Sequence, residues 1–263
     1  MNSIIDKIKD LRSITGLSIA DCKKALVNNN MDIEKAAKDL KILGLNKASL
    51  KSQRSTASGQ VSLLISKEKK TAVISEVNCE TDFVAKSKDF LIFNDEINNY
   101  FINEKNIQEN TLILFSDSKI LPEIIEQKRI DVVAKLGENI VLKRLYKITT
   151  EKQFLTGYNH TINDLCKISA IILTNNNILE YENLYTDIAM QVAAMNPKYL
   201  SKNNIPNEII ENESEVNIKK FIKENVLLEQ DFIKDRSLSI KNAIVNKFEI
   251  INFIRFEVGE KIT

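Results

Sequence analysis

Residues 61–78, VSLLISKEKKTAVISEVN, decide the architecture. Upstream of Val61 the apolar residues recur every three or four positions, the period of a helix. From Val61 they recur every second position on both sides of the charged turn KEKK, the pattern of a β-hairpin. Helical sequence resumes afterwards, with Phe90, Phe93, Ile97, Tyr100 and Phe101 on one aromatic face. A helical module followed by mixed strands and helices predicts an α+β chain.

Upstream, three helices are expected between residues 2 and 44. Ile4, Ile5, Ile8 and Leu11 line the first, which Thr15-Gly16 ends, because glycine accepts the left-handed conformation of a helix terminus. Ser18 and Asp21 open the second, with Ile19, Cys22, Ala25 and Leu26 as its apolar side. Asp32 caps the third, and Gly44 closes it. The polar stretch LNKASLKSQRSTASGQ then reads as a linker, with a helical start as the alternative, so a domain boundary falls near residue 55.

Downstream, Pro122 starts a helix that stops at Gly137. NIVLKRLYKI, QFLTGYNH and CKISAIILT read as strands. A helix over 184–195 is halted by Asn196-Pro197, and helical sequence follows over 207–225. A short helix, SIKNAIVNK, and a last strand, FEIINFIRFEV, end at Gly259. The expected division is 1–54 (three-helix module with linker), 55–146 (first core subdomain) and 147–263 (second core subdomain, with a helical insertion near 201–226).

Composition narrows the function. Thirty-seven Lys and Arg balance 36 Asp and Glu, so no overall field draws the chain to nucleic acid or to a membrane surface. No segment reaches the roughly 18–20 apolar residues of a membrane span. Cys22, Cys79 and Cys166 are scattered, which fits reduced thiols and a cytoplasmic protein.

Enzyme chemistry finds little support. There is no phosphate loop, no dinucleotide fingerprint and no nucleophile elbow, so the chain itself is expected to bind no nucleotide and to need no cofactor. The single histidine, His160, excludes a His-rich metal site. A Cys–His dyad has no local pattern behind it, and no catalytic residue is expected.

One residue stands apart. In EVNCETDFVAKSKDF, residues 76–90, Phe83 follows a strand and precedes a helix with no periodic partner. By residue type alone it would be a packing residue.

The segments LRSITGLSIADCKKAL, EVNCETDFVAKSKDF, IAMQVAAMNPKYL, LLEQDFIKD and INFIRFEVGE together resemble the bacterial elongation factor Ts family, in the family's order and over nearly the whole chain. The resemblance implies an N-terminal UBA-like three-helix bundle ahead of two α+β core subdomains with antiparallel sheets packed by helices. It implies a guanine nucleotide exchange factor rather than an enzyme. The partner would be elongation factor Tu, bound in its GDP-loaded and nucleotide-free forms.

In the family the Thr-Asp-Phe-Val tip intrudes near the partner's nucleotide and disturbs its Mg²⁺ site. Here Thr81, Asp82, Phe83 and Val84 match it, with Phe83 as wedge and Asp82 as polar clamp. Ile19, Ala20 and His160 match further contact positions. VAKLGEN (133–139) and IRFEVGE (254–260) also match and read as scaffold. The chain departs from the family pattern after YNH, where TINDLC stands in place of a glycine-rich turn. It also departs in the insertion after Pro197, which is expected to be shortened, and in an end soon after VGEKIT. The alternative is a non-exchanging interaction module that works through the N-terminal bundle.

Overall fold

The computed structural model describes residues 3–115, 121–210 and 214–261. Contacts divide the chain into two units. One comprises Met1–Gly59, Val77–Ile97 and Leu114–Arg144; the other comprises Gln60–Glu76, Asn98–Ile113 and Leu145–Thr263.

The first three helices are α1 (Ile4–Thr15), α2 (Ile19–Asn28) and α3 (Ile33–Lys51). Each start is set by a side chain that accepts a hydrogen bond from a free backbone N–H. Ser3 Oγ accepts from Asp6, Ser18 Oγ accepts from Asp21 at 3.1 Å, and Asp32 Oδ1 accepts from Lys35 at 3.1 Å. Gly16, at φ +67, ends α1 as expected. Leu11, Leu17, Cys22, Leu26, Ala36 and Leu40 form the buried centre of the bundle. Lys47 donates to Asp21 at 2.8 Å, and this bond, with one from Ser18, holds the Asp21 carboxyl below its usual range.

Two expectations for this region fail. Ile19 is 57% exposed, so the apolar side of α2 is Cys22, Ala25 and Leu26. The helix α3 runs through Gly44 to Lys51, so Gly44 does not close it, and the start of the linker, residues 45–51, is helical. Gly44 is instead a place of close approach to α6 (Glu123–Leu136), where a Cβ would lie 3.5 Å from the Cβ of Ala134. That spacing is ordinary van der Waals contact. Gly44→Ala is therefore expected to stabilise the protein by about 0.5–1 kcal/mol through helix propensity alone, read as a small rise in Tm. A fall in Tm would mean that the two helices cannot accept the methyl group.

The hairpin is present as β1 (Ser58–Ile65) and β2 (Thr71–Cys79). A four-residue helix, α4 (Asp82–Ala85), and α5 (Lys88–Asn103) follow, then β3 (Thr111–Leu114), which the sequence reading did not contain. After α6 comes β4 (Ile140–Thr149), and the strands hydrogen-bond in the order β1-β2-β4-β3. Phe90, Phe93, Ile97 and Phe101 are buried along α5, as their spacing predicted.

In the second unit, β5 (Phe154–Ile162), β6 (Leu165–Thr174) and β9 (Ile250–Glu257) form an antiparallel sheet, with Phe154 opposite Thr174 and Ile168 opposite Glu257. The helix α7 (Glu182–Met195) packs on β5 and β6. Its Tyr185, Ile188, Ala189 and Val192 share a core with Ile172, Leu227, Ile240 and Phe248. A second cluster joins Val61, Ala72, Ile74, Ile148, Leu155, Ile171 and Phe256.

The helical sequence expected over 207–225 consists of α8 (Asn207–Ile210) and α9 (Glu215–Asn225), and residues 211–213 lie outside the described residues. A two-stranded ribbon, β7 (Asp231–Phe232) and β8 (Asp235–Ser239), precedes the five-residue α10 (Ile240–Ile244). Arg255 explains the scaffold reading of IRFEVGE. Its guanidinium donates to the carbonyl of Ala193 at 3.0 Å and pairs with Glu257 at 2.6 Å and Glu260 at 3.3 Å. The N–H of Gly259 donates to the buried Glu76 at 2.8 Å.

Among the described residues no helix is long and apolar enough to cross a membrane, and no group of His, Cys, Asp and Glu could hold a metal ion. The mixed α/β architecture, with helices first and antiparallel sheets packed by helices after them, agrees with the expected fold class.

Candidate functional site

The segment 80–87 leaves the end of β2 and turns immediately into α4. Thr81 begins the helix, its Oγ1 accepting from the N–H of Val84 at 3.4 Å. The carbonyls of Thr81 and Asp82 then accept from the N–H groups of Ala85 and Lys86. One turn of helix spaces side chains about 100° apart, so Ala85 and Phe83 point some 200° from each other. Ala85 is fully buried, and Phe83 is consequently turned outward and 89% exposed. Val84 is half-buried, and Asp82 is exposed and accepts from the hydroxyl of Ser58.

Two carboxylates brace the turn from below. Glu138 Oε2 accepts from the backbone N–H groups of Glu80 at 3.1 Å and Thr81 at 3.0 Å, while Oε1 accepts from the Thr81 hydroxyl at 2.6 Å. Glu80 returns the contact, accepting from the N–H of Asn139 at 2.7 Å and pairing with Arg54 at 3.5 Å. The Asn139 amide in turn donates to the carbonyls of Ser52 at 3.2 Å and Arg54 at 2.9 Å. Gly137, at φ +81, ends α6 and turns the chain so that Glu138 and Asn139 arrive at this knot.

Hydrogen bonds to charged acceptors are worth roughly 1.5–3 kcal/mol each, so the turn is held stiffly while its aromatic ring stays in water. With the backbone fixed, the torsions left free at the tip are those of the Phe83 side chain itself.

The other expected contacts lie outside this knot. Ile19 and Ala20 are exposed at the start of α2. His160 belongs to the second unit. It is half-buried near the end of β5, with its Nδ1 3.4 Å from the Tyr158 hydroxyl and a register shift between His160 and Thr161. The TINDLC segment after it is a tight hairpin turn, with Asn163 at φ +49 and Asp164 at φ +65. Cys166 packs in the adjoining strand with its Sγ 3.4 Å from Ser169 Oγ, and burial pushes its thiol pKa up, which disfavours the thiolate a nucleophile needs.

Sequence reading named the tip but not what holds it. Glu138 and Asn139 lie within VAKLGEN, and their partners lie between 57 and 87 residues upstream, so no local spacing reveals the pairing.

The family model described as Elongation factor TS matches residues 80–219 and 215–260. Similar curated proteins named Elongation factor Ts include one from a Nitratiruptor species, 34% identical over 97% of this chain and 93% of its own length. That of Aquifex aeolicus is 34% identical over 97% of both chains, and that of Baumannia cicadellinicola is 35% identical over 97% of this chain and 93% of its own. With matches of this extent, and an N-terminal helical bundle followed by antiparallel sheets packed by helices, the chain belongs to the elongation factor Ts family of translation elongation factors.

Proposed function

We propose that this chain is a guanine nucleotide exchange factor for elongation factor Tu and that Phe83 is its working part. The observation that carries the reading is the 89% exposure of a large aromatic on a backbone braced from beneath. Burying a Phe side chain in an apolar site releases about 1.5–3 kcal/mol, which favours its insertion between elements of the partner.

A GTPase holds GDP through phosphate contacts and a Mg²⁺ ion that demands near-ideal octahedral geometry. A wedge that shifts the elements positioning the ion weakens both. Every 1.4 kcal/mol lost loosens the nucleotide by about tenfold. Coupling is reciprocal, so returning nucleotide weakens the hold of the factor and releases it. No bond is made or broken, and no group in this chain acts as acid, base or nucleophile.

Asp82 offers a carboxylate beside the ring, Val84 adds apolar contact, and Thr81 shapes the turn. Ile19, Ala20 and His160 widen the contact. The reading keeps the division of the chain into residues 1–54, 55–146 and 147–263 and places its work in the cytoplasm.

The test is release of a fluorescent GDP from elongation factor Tu, chased with unlabelled nucleotide. Release is expected to accelerate by about a hundredfold or more on adding the chain, the effect of losing roughly 3 kcal/mol of nucleotide binding. Release at the spontaneous rate would overturn the proposal. Binding with unaltered release would favour a non-exchanging module that docks through the exposed Ile19 and Ala20.

A further inference from the structure

Leu50 is 83% exposed, and among the described residues of the first unit no large apolar side chain but Phe83 exceeds it. A lone exposed Leu carries no message by itself. Its position does. Leu50 lies two residues before Ser52, whose carbonyl is bound by the Asn139 amide, and Phe83 lies two residues after Thr81, whose N–H is bound by Glu138. Each therefore stands within about 8 Å of chain from one hydrogen-bonded knot. A standard footprint of about 800 Å² on one partner is roughly 30 Å across, the scale of two sites joined through one knot.

The surroundings of Leu50 are basic. Lys47 and Lys51 lie one turn apart on α3 and Arg54 follows its end; Lys47 pairs with Asp21 and Arg54 with Glu80, while Lys51 Nζ lies 3.8 Å from where a Cβ of Gly137 would stand, over the C-terminal end of α6. Burial, then Arg54 and Lys47, push the Lys51 ammonium pKa down, while Glu80 and Glu138 oppose them. Glu138 is occupied by the backbone of the turn, and Glu80 by Asn139 and Arg54. A carboxylate brought close to Lys51 would favour its ammonium form.

We propose that Leu50 is a second apolar anchor for the same GTPase, seated in an apolar spot whose rim carries carboxylates that meet Lys51. The inference rests on the exchange reading of the tip. Phe83 alters the nucleotide site; Leu50 supplies affinity without touching it.

The two roles separate kinetically. Leu50→Gln keeps a good helix former at an exposed site, so Tm should stay unchanged. Affinity for nucleotide-free elongation factor Tu is expected to fall about tenfold, the change that burial of one Leu predicts. GDP release at saturating factor should stay within about twofold of the parent, and Leu50→Met should restore most of the affinity. Lys51→Gln, at unchanged Tm, should flatten the dependence of the association rate on salt. Unchanged affinity in Leu50→Gln overturns the anchor, and an unchanged salt slope in Lys51→Gln overturns its acidic rim. If Phe83→Ala also releases GDP at the parental rate, the exchange reading of the tip fails instead.

Discussion

Phe83→Ala is expected to slow factor-stimulated GDP release by roughly a hundredfold at saturating protein while leaving the melting temperature in place. Truncating the ring removes about 1.5–3 kcal/mol of burial in the partner, which is about ten- to a hundredfold by itself. On the proposed exchange reading the Mg²⁺ site would also stay assembled without a wedge, which puts the expected total at the upper end. The fold should not notice. An exposed side chain away from caps and buried polar groups changes stability by about 0.5 kcal/mol or less, and Phe83 is 89% exposed. Phe83→Leu should fall between the two, since it keeps apolar volume and loses the rigid ring. Stimulated release at the parental rate from the alanine protein would show that the ring is a bystander.

Glu138→Ala should produce the next largest effect, by a different route. Its carboxylate accepts from two backbone N–H groups and one hydroxyl of the turn. Water replaces part of that loss because the site is only half-buried, so a net destabilisation of about 2 kcal/mol is expected. Hydrogen exchange at the Glu80 and Thr81 amides should quicken about thirtyfold. Stimulated GDP release should drop about tenfold, because a loosened tip must be ordered on binding. Glu138→Gln retains one acceptor oxygen and should lie in between. Undisturbed protection of both amides would mean that the brace contributes nothing in solution.

Much of the fold could be read from residue order because its signals are local. The caps at Ser18 and Asp32, the change of period at Val61 and the aromatic face of α5 each depend on neighbours within a turn or a strand. Gly44 failed because a glycine that ends a helix and one that admits another helix look alike. What distinguishes them is Ala134, ninety residues away. The ribbon of β7 and β8 escaped because two and five residues are too few to display alternation.

The tip was half legible. Its residues could be named from a family pattern, but an isolated Phe after a strand suggests core packing by type. Only one turn of helix, with Ala85 inward, turns it out. Glu138 and Asn139 lie in a segment that reads as scaffold, since hydrogen bonds that span nearly sixty residues or more leave no periodic trace.

The continuity of α3 changes how dissection of this protein must be interpreted. Nineteen residues of unbroken helix give a shaft of about 28 Å that ends just before the two carbonyls gripped by Asn139. A deletion made at residue 54 to discard the bundle would also amputate those acceptors and leave a buried amide without them. An inactive truncation would then report a collapsed fulcrum beneath Phe83 as readily as a missing handhold at Ile19.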